Sequence, residues 1–351
     1  MAILYNTAIE MKILAIETSC DDTCASVLED DRMLSNVISS QTDLHKKWGG
    51  VVPNLAKRAH EKRVGPVVEE ALKRAGTKMK EIEVIGVTYG PGLAIALGVG
   101  IEKAKDLAKK YKKKLVAVNH IEGHILSNLA KNSRGKPERK FKWPALVLTV
   151  SGGHSKIVLM KRVGKYETVG ETLDDAAGEA LDKISKLLGL GYPGGAVIER
   201  LAEKGDEKFL ELPRPMKGQK GFDYSFSGLK TSFYYKIKDW KKERVAKNFA
   251  NLAASFQRAV FDSLLNRFEK AIDYYQPKSL MASGGVLANE LLRKDLRKLA
   301  RKKDLKIYLP WSKKLNTDNA GMIGVAAFYK AERGEFVKDI MGLEREARAE
   351  L

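Results

Sequence analysis

The sequence predicts an α/β protein made of two related lobes, and three observations carry that prediction. Short apolar runs of strand length alternate with longer helical segments. A strand, a polar or glycine-rich turn and a return strand occur near residues 13–28 and again near 145–160, the pattern of a duplicated fold with a ligand between its lobes. A chain of 351 residues with 44% hydrophobic content can also supply two domains with substantial cores.

Each element follows in order. Residues 13–16 (ILAI) read as a buried strand ending in the polar loop 17–23 (ETSCDDT), with 25–28 (ASVL) as its hairpin partner. A helix over roughly 55–75 leads to a strand at 84–88 (VIGVT), a turn at 89–92 (YGPG) and an apolar helix to about Tyr111. Strand 115–118 (LVAV) feeds a turn carrying His120 and His124. The basic, proline-containing stretch 131–144 reads as a linker. Beyond it the plan restarts with a strand at 145–150, a small-residue turn at 151–155 (SGGHS) and a return strand at 156–160. A strand and glycine turn at 280–286 (LMASGGV) then lead into a basic helix over 287–303. The expected division is an N-terminal lobe over 11–130, the linker 131–144, a C-terminal lobe over 145–335 and a tail over 336–351.

Composition narrows the function classes. The longest apolar run, 93–101 (LAIALGVGI), is too short to span a membrane and holds two glycines. Residues 1–10 lack the basic start of a secretory signal, and Met11 is an alternative first residue. Cys20 and Cys24, the only cysteines, are too close and too early for a disulfide framework, so the expected setting is the cytoplasm, with no membrane. Against 44 Asp and Glu stand 63 Lys and Arg, a net charge of +19, which points to a polyanionic partner. The excess clusters at 109–114, 131–140, 238–244 and 291–303. A solvated helix face explains any one run, but four together favour nucleic acid, with 291–303 and 109–114 as the preferred contact surface.

His120 and His124 lie one helical turn apart, about 40° from each other, so both imidazoles can reach one ion. In a zinc-protease helix the glutamate directly follows the first histidine; here Glu122 falls two residues later, about 200° round the helix, and faces away. That removes the protease base and leaves a metal site or two unrelated histidines. Glycine turns at 151–153 and 283–285 let backbone N–H groups approach phosphate or ribose, although either alone reads as an ordinary tight turn. Over 173–183, Asp175, Glu179 and Asp182 at i, i+4 and i+7 form an acidic stripe on a helix. Asp318 stands just before a helix, where an N-cap is the default role.

These pieces, in this order, resemble the TsaD family of tRNA N6-adenosine threonylcarbamoyltransferases. The resemblance rests on residues 16–23 (IETSCDDT), 49–53 (GGVVP), 89–93 (YGPGL), 119–124 (NHIEGH), 150–154 (VSGGH), 170–179 (GETLDDAAGE), 189–195 (GLGYPGG), 226–231 (FSGLKT), 283–286 (SGGV) and 317–319 (TDN). It implies an actin-like, sugar-kinase-like (ASKHA) fold of two lobes. It also implies transfer of threonylcarbamoyl from threonylcarbamoyl-AMP to N6 of the adenosine 3′ of the anticodon, in tRNAs reading codons that begin with A. Carried over, the metal ligands fall on His120, His124 and Asp318, with one Fe2+ or Zn2+ per subunit. Substrate contacts fall on Thr149, Val150, Ser151, Gly152, Gly153, Asp182, Gly195 and Asn289. Partners implied are tRNA, a TsaB-like paralogue and a TsaE-like ATPase. Asp21 or Asp22 is a candidate to accept the N6 proton. The archaeal branch has a tyrosine ligand where this chain has Thr149, so three side-chain ligands are expected here, unless Thr149 itself coordinates. The competing enzyme class is an ATP-dependent kinase or ATPase of the same fold, against which the imidazole pair argues, since such enzymes hold magnesium through oxygen. A non-catalytic paralogue is expected to lack the metal residues.

Overall fold

The computed structural model describes residues 10–351, so the expectations for the start of the chain lie outside the described residues. Two compact units emerge. The first contains the chain up to Gln41, Pro53–Arg139 and Asp318–Glu350; the second contains Thr42–Val52, Lys140–Thr317 and Leu351.

In the first unit, β1 (Lys12–Glu17), β2 (Asp22–Glu29) and β3 (Arg32–Ser40) form an antiparallel meander. After the one-turn α1 (Thr42–His45), which belongs to the second unit, come α2 (Pro53–Arg74), β4 (Val84–Gly90), α3 (Ala94–Tyr111), β5 (Lys114–Asn119) and α4 (His120–Leu126). β4 joins β1 in parallel and β5 joins β4, giving the order β3-β2-β1-β4-β5. β1 is central and buried on both faces from Ile13 onward, hence its unbroken apolar run. β3 lies at the edge and alternates buried with partly exposed positions. Leu14, Ile16, Ile85 and Val87 share one face of the sheet and pack with Val64 and Val68 of α2 and Ile101 of α3.

The second unit repeats the plan. β6 (Ala145–Val150), β7 (Ser155–Arg162) and β8 (Lys165–Glu171) form a meander, followed by α5 (Ala177–Leu187), α6 (Gly194–Ala202), α7 (Ser227–Ile237), α8 (Lys242–Lys247) and the long α9 (Phe249–Tyr275). β9 (Ser279–Ser283), α10 (Glu290–Lys302) and β10 (Ile307–Tyr308) complete it. The strand order β10-β9-β6-β7-β8 is that of the first sheet read from the other edge, with β9 and β10 in the places of β4 and β5. The helices are held by an aromatic core of Phe226, Phe233, Phe256, Phe261 and Phe268, all fully buried.

α11 (Ala320–Glu332) returns to the first unit. Its residues 320–327 are all buried, and it covers the sheet face opposite α2 and α3, where a Cβ on Gly86 would stand 2.6 Å from that of Ala327 and one on Gly324 would overlap Leu28. Residues 318–335, assigned from the sequence to the C-terminal lobe, therefore pack with the N-terminal sheet; an almost wholly apolar helix needs a sheet face, and the one it covers is 190 residues or more upstream. The expected tail also belongs to this unit: Val337 N donates to Leu115 O at 2.8 Å and Glu346 N to Tyr89 O at 2.8 Å. The stretch 131–144 holds no helix or strand, and the chain crosses between units after Arg139. Among the described residues no helix is long and apolar enough to cross a membrane.

The acidic helix starts later than its pattern suggests, at Ala177. Asp174 is drawn away to accept from the amides of Phe226 (2.7 Å) and Ser227 (3.2 Å) at the start of α7. Asp175 is neutralised by Lys183 at 2.6 Å and Lys230 at 2.9 Å. The three acids thus form no common stripe.

Candidate metal centre

β5 ends at Asn119, whose side-chain oxygen accepts from the amides of Ile121 (2.8 Å) and Glu122 (3.3 Å) and so starts α4 in a fixed direction. Every residue of α4 is buried. The helical turn sets the rings of His120 and His124 with centroids 4.7 Å apart and planes at 86°. Asp318 reaches them from the start of α11. Its neighbour Asn319, not Asp318, is the N-cap of that helix, accepting from Met322 N at 3.0 Å. The Asp318 carboxylate is left to face the imidazoles, with Oδ1 3.5 Å from His120 Nε2 and 3.3 Å from His124 Nε2. One ligand atom from each of the three residues lies within 4.8 Å of the others. Glu122 points elsewhere, its carboxylate 3.8 Å from Arg333 and 3.9 Å from Lys330.

A second layer surrounds the histidines. Glu17, fully buried at the end of β1, lies with Oε2 3.1 Å from His120 Nδ1, and the same oxygen accepts from Thr88 Oγ1 at 2.6 Å. Ser19 Oγ is also 3.1 Å from Nδ1. A carboxylate can only accept, so it holds the proton on Nδ1 and leaves Nε2 as the lone-pair atom when His120 is neutral. Without a metal, burial pulls the His120 pKa down, but the Asp318 and Glu17 carboxylates outweigh it and push the group up to about 9. Glu17 is held below its ordinary range: burial raises it, and His120 more than compensates. His124 is moved down by burial, opposed by Asp318 and reinforced by the charge on His120. Its Nδ1 is buried without a hydrogen-bond partner among the described residues. A buried, neutral imidazole beside a carboxylate and a second imidazole is a donor set suited to a borderline dication such as Zn2+ or Fe2+, and it fits an ion better than it fits a dry core.

The loop between β1 and β2 carries the candidate bases. Burial, partly opposed by a hydrogen bond from Ser40, raises Asp22 to a pKa of about 7; the Asp21, Asp318 and Glu17 charges add to it. One Asp22 oxygen is buried with no hydrogen-bond partner among the described residues. Asp21 accepts from Gln41 N through its backbone carbonyl at 3.0 Å. The loop is clamped by His60, with Nε2 3.0 Å from the Cys20 carbonyl and Nδ1 2.8 Å from Thr23 Oγ1. The carbonyl accepts, so Nε2 carries the proton, and burial keeps the ring neutral by lowering its pKa.

In the second unit, the substrate candidates gather where β6 and β9 end and helices begin. Thr149 Oγ1 is 3.2 Å from Ser283 Oγ on the paired strand, and Val150 is buried. The 151–153 turn is tied by His154 N to Ser151 Oγ at 3.1 Å, and Gly152 and Gly153 are exposed with open space where a Cβ would stand. Gly178, at the start of α5, comes so close that its Cβ would be 2.6 Å from Ser151 O. Asp182 accepts from the amides of Gly194 (2.7 Å) and Gly195 (3.1 Å), starting α6. Asn289 caps α10 through Leu291 N at 3.0 Å and donates to Gln257 at 2.8 Å. Ligands of open α/β sheets bind beyond the carboxyl ends of parallel strands, which is where this group sits. Glu17, Ser19, Thr88 and His60 were not singled out from sequence; a glutamate directly after a fully buried strand was the one available signal.

The family model for TsaD, tRNA N6-adenosine threonylcarbamoyltransferase, matches residues 32–325. Among curated relatives, the tRNA N6-adenosine threonylcarbamoyltransferase of Thermosipho africanus is 45% identical over 92% of this chain and 96% of its own length. The one from Staphylococcus carnosus is 45% identical over 92% of both chains. Among solved structures, HypF of T. kodakarensis aligns with TM-score 0.62 at 15% identity over 95% of this chain and 50% of that one. The activator of 2-hydroxyisocaproyl-CoA dehydratase from Clostridium difficile aligns with TM-score 0.52 at 13% identity, over 93% and 97%. At such identities the structural likeness concerns the fold alone, the duplicated actin-like and sugar-kinase-like architecture.

Proposed function

The chain belongs to the TsaD family of tRNA N6-adenosine threonylcarbamoyltransferases, and on that premise we propose that it takes the threonylcarbamoyl group from threonylcarbamoyl-AMP. The acceptor is N6 of the adenosine 3′ of the anticodon in tRNAs reading codons that begin with A. The observation that carries the metal part of this reading is the convergence of His120, His124 and Asp318 with a buried Glu17 behind His120.

In this reading His120, His124 and Asp318 hold one Fe2+ or Zn2+. When bound, such an ion supplies Lewis-acid stabilisation of substrate oxygens. Glu17 keeps the Nδ1 proton of His120 in place, so that Nε2 is available as ligand. The 149–153 segment, Gly195, Asp182 and Asn289 frame the donor, the exposed glycine turn letting backbone amides approach phosphate. N6 forms its new bond to the carbamoyl carbon, the bond from that carbon to the phosphate oxygen breaks, and AMP leaves with the electron pair. Asp22 receives the N6 proton; a carboxylate that titrates near 7 is matched to that task. Asp21, next to it, is the alternative acceptor. N6 is a weak nucleophile, so most of the rate comes from positioning. The working assembly includes a TsaB-like paralogue and a TsaE-like ATPase, in the cytoplasm.

The test is incubation with threonylcarbamoyl-AMP, ATP, both partner proteins and a tRNA reading an A-initial codon, with and without chelator. Modified adenosine from the wild type, lost with chelator and in His120→Ala and His124→Ala, is the expected result. ATP hydrolysis by the chain alone, with no transfer by the assembly, would return the chain to the kinase class.

A further inference from the structure

Two of the charged cavities of the second unit differ in what they leave for an outside anion. The larger, 720 Å3, lies beside α9 and α10 and carries as many carboxylates as cations, most of them paired: Arg214 with Asp262 at 2.7 Å, Arg258 with Asp295 at 2.7 Å, and Lys302 with Glu269 at 2.8 Å. The other, 630 Å3, is lined by Lys140, Lys142, Lys278, Arg301 and Lys306, with Asp304 as its one carboxylate. All five cations are exposed, and none forms an ion pair among the described residues. They come from three separate stretches of chain: the segment before β6, the start of β9 and the end of α10 with the turn into β10.

The backbones that carry these cations are fixed to one another. Lys278 N donates to Pro144 O at 2.8 Å, Ser279 Oγ to Lys142 O at 2.7 Å, Leu280 N to Lys306 O at 2.9 Å, and the Tyr308 hydroxyl to Lys140 O. Phe141 and Trp143 alternate with the lysines and stack with ring centroids 5.9 Å apart, while Lys306 lies 5.1 Å from the Tyr308 ring. Like charges gathered without counter-ions around one hollow raise the cost of the free state, and a ligand that brings several negative charges relieves it by displacing many loosely held anions at once. Exposed lysines at the ends of long stems suit repeated phosphates better than one small buried anion, and aromatic rings among them suit a nucleic acid.

We propose that this cavity is a docking site for the phosphate backbone of the tRNA, away from the nucleotide that is modified. The inference rests on the transferase reading above. β6 is six residues long, so about 20 Å of strand separates the cavity at its amino end from the 151–153 turn at its carboxyl end. The cavity therefore acts on tRNA affinity, and the transfer step at saturating tRNA is independent of it. Of the surfaces preferred from sequence, only Arg301 of the 291–303 cluster takes part. Lys302 and Lys303 are committed to Glu269 and Asp273, and Arg293 is buried.

The experiment uses the full chain with its partner proteins and fluorescent tRNA, comparing wild type, Lys142→Glu/Lys306→Glu, and the charge-matched control Lys217→Glu/Lys220→Glu, at two exposed lysines between α6 and α7 that lie outside the four basic clusters. The cavity variant is expected to bind tRNA at least tenfold more weakly at 100 mM salt. Its plot of log affinity against log salt should be shallower by about 1.5–2, and its KM for tRNA raised, with single-turnover transfer at saturating tRNA unchanged. The control should stay within threefold of wild type. Unchanged affinity in the cavity variant, or an equal loss in the control, overturns the site and assigns the cations to another anion or to the general field. Failure of the wild type to bind tRNA at all strikes the transferase reading itself.

Discussion

Glu17, fully buried, and Asp22, half-buried with one carboxylate oxygen out of contact with solvent, lie five residues apart, and their surroundings send them in opposite directions. Glu17 stays charged because His120 is 3.1 Å away; Asp22 lacks such a cation and rises to about 7. Removing the Glu17 charge with Glu17→Gln withdraws the group that fixes the His120 tautomer, so bound metal, read by competition with a chromophoric chelator, should weaken by about 10–100-fold. Asp22 supplies a second prediction. Its folded pKa lies above the ordinary 3.8, so its ionisation opposes folding progressively as pH rises from 3.8 through about 7. Asp22→Asn should stabilise the metal-free protein at pH 8 by on the order of 1–3 kcal/mol, with the gain shrinking towards pH 4. Urea melts at the two pH values measure it, and a destabilised variant at pH 8 would contradict the burial argument. At this scale the histidines were legible because helical spacing is local. Asp318 entered the ligand set only through the family resemblance: locally an acid before a helix reads as a cap, and the fold reveals that Asn319 fills that place.

At the scale of elements, α4 and α11 together make the candidate centre. Asn119 serves both the start of α4 and, through Nδ2, the carbonyl of Glu350 at 2.8 Å. Asn119→Ala should cost about 1 kcal/mol, visible in thermal unfolding, and lower metal retention because α4 loses its fixed entry. α11 depends on glycine at a helix–sheet contact, where a Cβ on Gly324 meets the buried Leu28. Gly324→Ala should destabilise by about 1–3 kcal/mol, and an unchanged urea midpoint would show that the helix can shift freely. Buried strands were legible because each is a short apolar run: 145–150 coincides with β6, and 84–88 falls inside β4, whereas β3, β8 and β10, at sheet edges, had no such signal and were missed. The start of α5 was misread because Asp174 and Asp175 answer to partners some fifty residues downstream, Phe226, Ser227 and Lys230, which no local pattern reports.

At the scale of the molecule, the matching strand orders of the two sheets account for the repeated strand–turn–strand pattern near residues 13 and 145. Duplication was legible; the return of α11 to the first sheet was not, since an almost wholly apolar helix carries no address. The +19 charge announced a polyanion, but deciding which cations remain unpaired required the ion pairs of the folded chain. The most direct test of the account joins metal to transfer: bound metal and single-turnover threonylcarbamoyl transfer to tRNA, measured side by side in the partnered wild type and in His124→Ala. The account predicts about one ion per chain and transfer in the wild type, with both lost in the variant. Full transfer by a metal-free His124→Ala protein would contradict it.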